Sequence, residues 1–306
     1  MYDLAIIGGG PAGAAAGVYA ARKLLKTVLI TESFGGQSIV SFGIQNWIGV
    51  PEITGEELAK ALENHVRAYA GETVDIQKGQ RVARVTQAAG GFQVTTERGK
   101  TFDAKTVLVA TGGERKKLSA KGAEEFDQKG ISYCASCDGP LFGDMDVAVI
   151  GGGNAGFETA AQLLAYSKSV TLLQHSNIFS ADPVTVKKVL AHPNMRAIMN
   201  ANTIEVMGEK FVAGLAYKDK ETGEEKILPV AAIFVEIGMK PSTNFVDGLV
   251  ELDQYKRVVV NRDNQRTSRE GIWAAGDCTN SLYHQNNIAA GEAVTAIEDI
   301  YVYLKT

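Results

Sequence analysis

The segment "SYCASCDGPLF", residues 132–142, sets Cys134 and Cys137 three positions apart, with Asp138 directly after the second thiol. A pair at this spacing can close an intramolecular disulfide within a short loop or a helix start, and one thiol of such a pair often has a depressed pKa. Two electrons delivered to that bond leave a dithiol. One thiolate then attacks an external disulfide and the other resolves the mixed disulfide. The departing sulfur needs a proton, and Asp138 is placed in sequence to supply it as a general acid, directly or through water. Half of a structural zinc site is the competing use of a CxxC. Zinc takes about four ligands, and neither a second CxxC nor an HxxxH accompanies Cys278 and the four scattered histidines. No metal is expected, and Cys278 reads as a small buried residue behind a Gly-Asp turn.

An electron source is written into the chain twice. "YDLAIIGGGPAGAAAGVYAARKLLKTVLITE" runs from Tyr2 to Glu32, and "DVAVIGGGNAGFETAAQLLAYSKSVTLLQ" from Asp146 to Gln174. Each opens with a β-branched apolar run suited to a buried parallel strand. A G-x-G-x-x-G follows, with Gly8, Gly10 and Gly13 in the first copy and Gly151, Gly153 and Gly156 in the second. An Ala-rich helix and a second apolar strand complete each unit. Such glycines permit the tight turn, the close approach of a pyrophosphate and close helix–strand packing, while the helix N-terminus offers N–H groups to phosphate. Between a strand and a helix the motif points to dinucleotide binding. The copies end differently: Glu32 carries a carboxylate that can accept hydrogen bonds from a ribose, whereas Gln174 is neutral.

Two more strands belong with the first copy. "TVLVATGG" ends in the small-residue turn of Ala110, Thr111 and Gly112, and "GIWAAGDCT" ends at Gly276 and Asp277, a carboxylate suited to a ribityl chain or phosphate. These flank the second copy, so the organisation is nested. The fold class is α/β, with two nested Rossmann-like, doubly wound three-layer domains. The first covers 1–114 and 243–306, and the second, carrying the CxxC, covers 115–242. The crossings near 113–118 and 238–244 hold Gly, Lys, Pro and Ser, which suits hinges for a domain rotation.

The 306 residues fit two domains, and 45% hydrophobic with 22% charged residues is ordinary for a globular chain with a sizeable core. A net charge of −4 without a clustered basic run argues against a nucleic-acid partner. No apolar run suggests a membrane span. "MYDLAIIGGG" lacks a basic segment leading into a long apolar one, so no secretory leader is expected, and three cysteines suit a reducing cytoplasm. Trp47 and Tyr133 are expected to pack in the core, and His65 and His192 to lie at the surface. "YKDKETGEEKI", 217–227, reads as a solvated hairpin tip.

The motifs together resemble the low-molecular-weight thioredoxin reductase family, including the reductase portion of the flavoprotein subunit of bacterial alkyl hydroperoxide reductase. The likeness runs through "GGGPAG", "GGQ", "IQNWIGVPE", "ATG", "YCASCDGPLF", "GGGNAG", "AAGDCT" and "YHQNNIAAGEA". It implies FAD in the first domain, held by Gly8, Gly10, Pro11, Ala12, Gly13, Thr31, Glu32, Gly36, Gln37 and Asn46. Ala110, Thr111, Gly112, Gly276, Asp277, His284 and Gln285 complete that set. It implies a nicotinamide nucleotide in the second domain, at Gly151, Gly153, Asn154, Ala155, Gly156, Glu158 and Gln174. It places Cys137 against the flavin, Cys134 on the substrate and Asp138 on the protons. It also implies a homodimer and, since the first strand begins almost at once, an electron acceptor that is a separate protein: thioredoxin, a thioredoxin- or glutaredoxin-like protein, or a peroxiredoxin system.

The sequence departs from that pattern after its second glycine motif. In "LLQHSNIFSADP", His175, Ser176 and Ser180 stand where family members that use NADPH carry arginines for the 2′-phosphate. A phosphate monoester carries about −1.5 to −2 charge, so the loss of three cationic donors removes most selectivity for it. NADH is therefore expected as donor ahead of NADPH. Unselective use of both nucleotides and reduction by ferredoxin remain open. So do two other functions, a peroxide-forming NADH oxidase and a redox-sensing flavoprotein without turnover.

Overall fold

The structure is a computed structural model and describes residues 1–41 and 44–306. In chain order the first elements are β1 (Tyr2–Ile7), α1 (Pro11–Arg22), β2 (Thr27–Thr31), α2 (Gly55–Ala70), β3 (Val74–Lys78), β4 (Val82–Ala88), β5 (Gly91–Thr96), β6 (Thr101–Val109) and β7 (Gly113–Arg115). Next come β8 (Ile131–Ser132), α3 (Ala135–Asp138), β9 (Asp146–Ile150), α4 (Asn154–Leu163), β10 (Ser169–Leu173), α5 (Pro183–Leu190) and β11 (Met195–Ile198). The chain continues through β12 (Ala201–Gly208), β13 (Val212–Asp219), β14 (Glu225–Pro229), β15 (Ala232–Val235) and β16 (Met239–Pro241). It ends with β17 (Ile272–Ala274) and α6 (Asn286–Lys305).

Two compact units result. The first gathers Met1–Ser41, Trp47–Glu114 and Lys240–Thr306, and the second contains Arg115–Met239. In the first, the strand order is β3-β2-β1-β6-β5-β4, and β17 pairs with the far end of β6. β1 lies parallel between β2 and β6, with Leu4 opposite Thr27 on one side and Thr106 on the other. Leu4, Ala5 and Ile6 are fully buried, as a strand covered on both faces must be. α1 starts with Pro11 at a position where a missing N–H costs nothing. Its alanines pack closely against Ala293, Ala296 and Ile297 of α6. α2 opens with a capping box between Thr54 and Glu57, which satisfies two end donors at once.

The second unit repeats the plan with strand order β11-β10-β9-β15-β8. β9 lies parallel between β10 and β15, with Ile150 opposite Leu173 and Val235. A three-stranded antiparallel sheet, β12-β13-β14, packs its Leu215, Tyr217 and Leu228 into the same core as Ile131, Ala148 and Ile233. The charged segment 217–227 forms the hairpin between β13 and β14, and His65 and His192 are exposed. Because the central strands are parallel, everything that follows their carboxyl ends collects at one edge of each sheet. That edge is where ligands of such folds bind, at the point where the strand order reverses: between β1 and β6 in the first unit, and between β9 and β15 in the second.

Candidate functional site

In the first unit the strand ends enclose a cavity of about 390 Å³. Gly8, Gly10, Pro11 and Ala12 line it after β1, and Thr31 and Glu32 after β2. Ala110, Thr111 and Gly112 reach it from β6, and Gly276 and Asp277 from β17. Gly36 and Gln37 complete the wall from a short 3-10 helix, where the Gln37 side-chain amide donates to the Gly113 carbonyl. Among the described residues the lining does not include Gly13, Asn46, His284 or Gln285. Gly13 instead gives α1 its close approach, since a methyl there would overlap the Gly8 carbonyl. His284 places Nδ1 3.4 Å from Asp277 Oδ1, and Gln285 is the residue before α6.

The turns are tied from within the unit. Thr31 Oγ1 donates to the Ser33 carbonyl at 2.6 Å, and Thr111 Oγ1 to the Ser242 carbonyl at 2.7 Å. The Gly276 N–H donates to Glu292 Oε2 at 2.7 Å, so a carboxylate of α6 sets the loop that carries Asp277. Glu292 was not legible as a site residue, and neither were Gln80, Arg81 and Val82, which also line the cavity. They come from the junction of β3 and β4, which carries no motif. Arg81 lies 3.8 Å from Glu32 and 3.1 Å from Glu114.

In the second unit Cys134 and Cys137 are joined by a disulfide, with their Cα atoms 5.3 Å apart. They follow the carboxyl end of β8, and Cys134 is the residue before α3. The Cys134 carbonyl accepts from Cys137 N–H at 3.2 Å and Asp138 N–H at 3.1 Å, which fixes the pair as one turn. Ser132 joins the thiols to the acid: its hydroxyl accepts the Cys134 N–H at 3.1 Å and donates to Asp138 Oδ2 at 2.6 Å. Burial pushes the Asp138 carboxyl above the usual carboxylate range, and the Ser132 hydrogen bond offsets part of that. A buried serine two residues before a CxxC offers no signal of this role in sequence. Tyr133 is half-buried, and desolvation followed by its interaction with Asp127 pushes its phenol up to about 12. Cys278, in the first unit, is fully buried between the Val109 and Ala275 carbonyls, and burial pushes its thiol up to about 12. Among the described residues no group of three or more His, Cys, Asp or Glu side chains could hold a metal ion.

The second glycine loop follows β9. Gly151 packs its Cα against the Glu236 carbonyl, and Gly156 packs against the Gly151 carbonyl. Asn154 Oδ1 accepts the Asp182 N–H at 2.7 Å. Asn154, Ala155 and Glu158 are exposed along α4. Gln174 turns inward. Its Oε1 accepts the Gly152 N–H at 3.1 Å, and its Nε2 donates to Ser176 Oγ and to the Ile178 carbonyl, each at 2.8 Å.

The pyridine nucleotide-disulphide oxidoreductase model matches residues 2–296. The chain belongs to this family. As a member it is an oxidoreductase, and the family implies FAD and a nicotinamide nucleotide as cofactors. The chain is 39% identical over 303 residues to an NADH dehydrogenase of Bacillus subtilis and 40% identical over 304 residues to an alkyl hydroperoxide reductase component of Escherichia coli. Each alignment covers 99% of this chain and 58% of the relative, so the chain spans little more than half the length of these proteins. Thioredoxin reductase from Giardia duodenalis superposes with a TM-score of 0.93 at 30% identity, covering 100% of this chain and 99% of the other. The enzyme from Streptococcus pyogenes gives 0.91 at 32%, covering 100% and 98%.

Both glycine loops fit the cofactors of the family on their own geometry. A methyl built on Gly10 would touch only Gly36, at 3.7 and 3.9 Å, and one on Gly112 would meet nothing within 4 Å. The first cavity thus leaves room for a phosphate to approach the backbone at Gly10 and Gly112. In the second loop, a methyl on Gly153 would meet only Ser180 Oγ, at 3.4 Å. Neither Gly10 nor Gly153 caps its helix with a side chain, so both helix starts present backbone N–H groups suited to an anion.

Proposed function

We propose that this chain is an FAD-dependent disulfide reductase. It takes electrons from NADH and passes them through Cys134 and Cys137 to thioredoxin or a thioredoxin-like protein. The observation that carries the reading is the Ser132 hydroxyl bridging the Cys134 backbone and Asp138, which holds a carboxyl group beside a closed disulfide. The cavity residues Gly8, Gly10, Glu32, Gly36 and Asp277 would hold FAD, which supplies two electrons to the Cys134–Cys137 bond when bound.

The chain's own residues carry the rest. Once opened, the dithiol exposes Cys134 to attack one sulfur of the partner's disulfide: a Cys134–partner bond forms and the partner's S–S bond breaks. Cys137 then attacks Cys134, which restores the internal disulfide and releases the second partner thiol. Each leaving thiolate takes up a proton. Asp138 holds one nearer neutral pH than an exposed aspartate does, because burial disfavours its anion.

Three features support NADH over NADPH. His175 and Ser180 are exposed and Ser176 half-buried, all without a guanidinium at these positions. Both Nε2 protons of Gln174 are already committed. One lone pair of its Oε1 remains for a ribose hydroxyl. A peroxiredoxin system as the final acceptor is favoured by the 40% identity to the alkyl hydroperoxide reductase component.

The test is anaerobic stopped-flow bleaching of the FAD-loaded protein by NADH, NADPH and reduced ferredoxin, followed by reduction of thioredoxin. NADH should bleach the flavin fastest. Cys134→Ser and Cys137→Ser should each bind FAD normally and abolish thioredoxin reduction. Rapid bleaching by ferredoxin alone would overturn the donor, and full disulfide reduction by either variant would overturn the route.

A further inference from the structure

Glu236 is a buried acid that none of these roles uses. It follows β15, and its N–H continues the strand ladder to the Ile150 carbonyl at 2.8 Å. Its side chain is 9% exposed. Oε1 accepts from Thr159 Oγ1 at 2.9 Å, and Arg115 Nη1 lies 3.1 Å from Oε2 and 3.4 Å from Oε1. Thr159 is on α4, the helix whose start forms the second phosphate cradle. Glu158, one residue earlier on the same helix, adds a second carboxylate that acts on Glu236. The crevice thus sets two carboxylates against one guanidinium: burial works against the Glu236 anion, and the Arg115 ion pair and the Thr159 hydroxyl hold it.

The place in the sheet says what that charge would meet. A dinucleotide lies across the carboxyl edge where the strand order reverses, here between β9 and β15. Gln174, at the end of β10, takes the adenosine side and the glycine loop the pyrophosphate. The nicotinamide half then falls on the β15 side, where Glu236 stands. Nicotinamide is a neutral dihydropyridine when reduced and a pyridinium cation once its hydride has left.

We propose that Glu236, fixed by Thr159 and Arg115, is the charge-setting residue of the nicotinamide subsite and makes this chain bind the oxidised nucleotide more tightly than the reduced one. By linkage, the bound reduced nucleotide becomes a stronger hydride donor by the same factor. The inference rests on the reading of the second loop as a nicotinamide-nucleotide site. A unit charge several ångströms from the ring, at the effective dielectric of a partly buried site, is worth roughly 3- to 30-fold in relative affinity.

The experiment is calorimetric titration of the FAD-loaded protein with ADP-ribose, NAD⁺ and tetrahydro-NAD, a neutral analogue of NADH that cannot deliver a hydride. The wild type should bind NAD⁺ roughly 3- to 30-fold more tightly than tetrahydro-NAD. Glu236→Gln should bring the two within about twofold while leaving ADP-ribose affinity unchanged, and Glu236→Asp should keep the preference. A wild type without preference for NAD⁺, or a Glu236→Gln protein that keeps it, overturns the role of Glu236 alone. If the wild type binds none of the three nucleotides, the donor reading falls and this inference with it. Should Glu236→Gln not fold, the wild-type ratio and Glu236→Asp decide.

Discussion

Replacing Gly10 by alanine should separate flavin binding from folding. Gly10 precedes α1 with φ −71° and ψ −170°, an extended conformation that alanine adopts without strain. The added methyl would touch only Gly36, at ordinary contact distance. Losing glycine ahead of a helix costs up to about 1 kcal/mol, and a stiffer unfolded chain returns about 0.4–1 kcal/mol. The apoprotein should therefore melt within a few degrees of wild type. The same methyl stands in the groove between the start of α1 and Gly36, where the proposed FAD site would receive its pyrophosphate. Displacing one phosphate from a charge-assisted backbone hydrogen bond costs about 1.5–3 kcal/mol, which is roughly 10- to 150-fold in affinity. The assay is fluorescence titration of apoprotein with FAD, beside thermal unfolding without it. Gly8→Ala is the contrast: its φ is +121° and its methyl would overlap the Ala110 carbonyl, so the apoprotein itself should lose stability. If Gly10→Ala bound FAD as tightly as wild type, the cavity would not be a dinucleotide cradle.

Asp138→Asn should slow reduction of an external disulfide by roughly 10²-fold or more, the usual worth of a general acid. In wild type that step should weaken as pH rises through the elevated pKa of Asp138, because the protonated form exists below it; the asparagine variant should lack this limb. The stability effect has a definite sign. With its folded pKa raised, Asp138 contributes stability that is present below the ordinary carboxylate value and lost as pH rises through the folded value. Thermal melts at neutral pH should thus find Asp138→Asn no less stable than wild type. For Cys278, thiol titration of the reduced protein should count two fast thiols in the folded state and a third only in denaturant, since burial holds its sulfur protonated. A third fast thiol would contradict its burial.

The fold was legible because its signals are local. Both glycine motifs sit between a buried apolar run and a small-residue helix, and each run fixes the centre of its own parallel sheet. Once β1, β2, β6 and β17 are parallel, Gly8, Thr31, Ala110 and Gly276 must meet at one edge, whatever separates them in sequence. The supporting side chains were not legible, because nothing local marks them. Ser132 is an ordinary serine in a buried strand until α3 folds its acid back onto it. Glu236 and Arg115 are 121 positions apart and become partners only when the backbone beside each meets, the Lys116 N–H donating to the Gly238 carbonyl at 3.0 Å. Arg81 reaches the first cavity from a strand junction without a motif.

The two glycine units diverge for a physical reason that a motif comparison hides. In the first, Thr31 satisfies the turn through the Ser33 carbonyl, and Glu32 stays 71% exposed at the cavity rim with Arg81 3.8 Å away. In the second, the strand-end residue itself takes over the turn: Gln174 is 5% exposed and braces the Gly152 N–H against the Ile178 carbonyl. That brace needs an acceptor and two donors on one side chain, which an amide has and a carboxylate lacks. A glutamate at 174 would set its oxygens against the Ile178 carbonyl with no proton between them, and the loop would have to open. Neutrality at this position is thus part of what holds the second loop in shape. On the proposed NADH reading, discrimination between nicotinamide nucleotides would rest on missing cations around His175 and Ser180 rather than on a repelling acid.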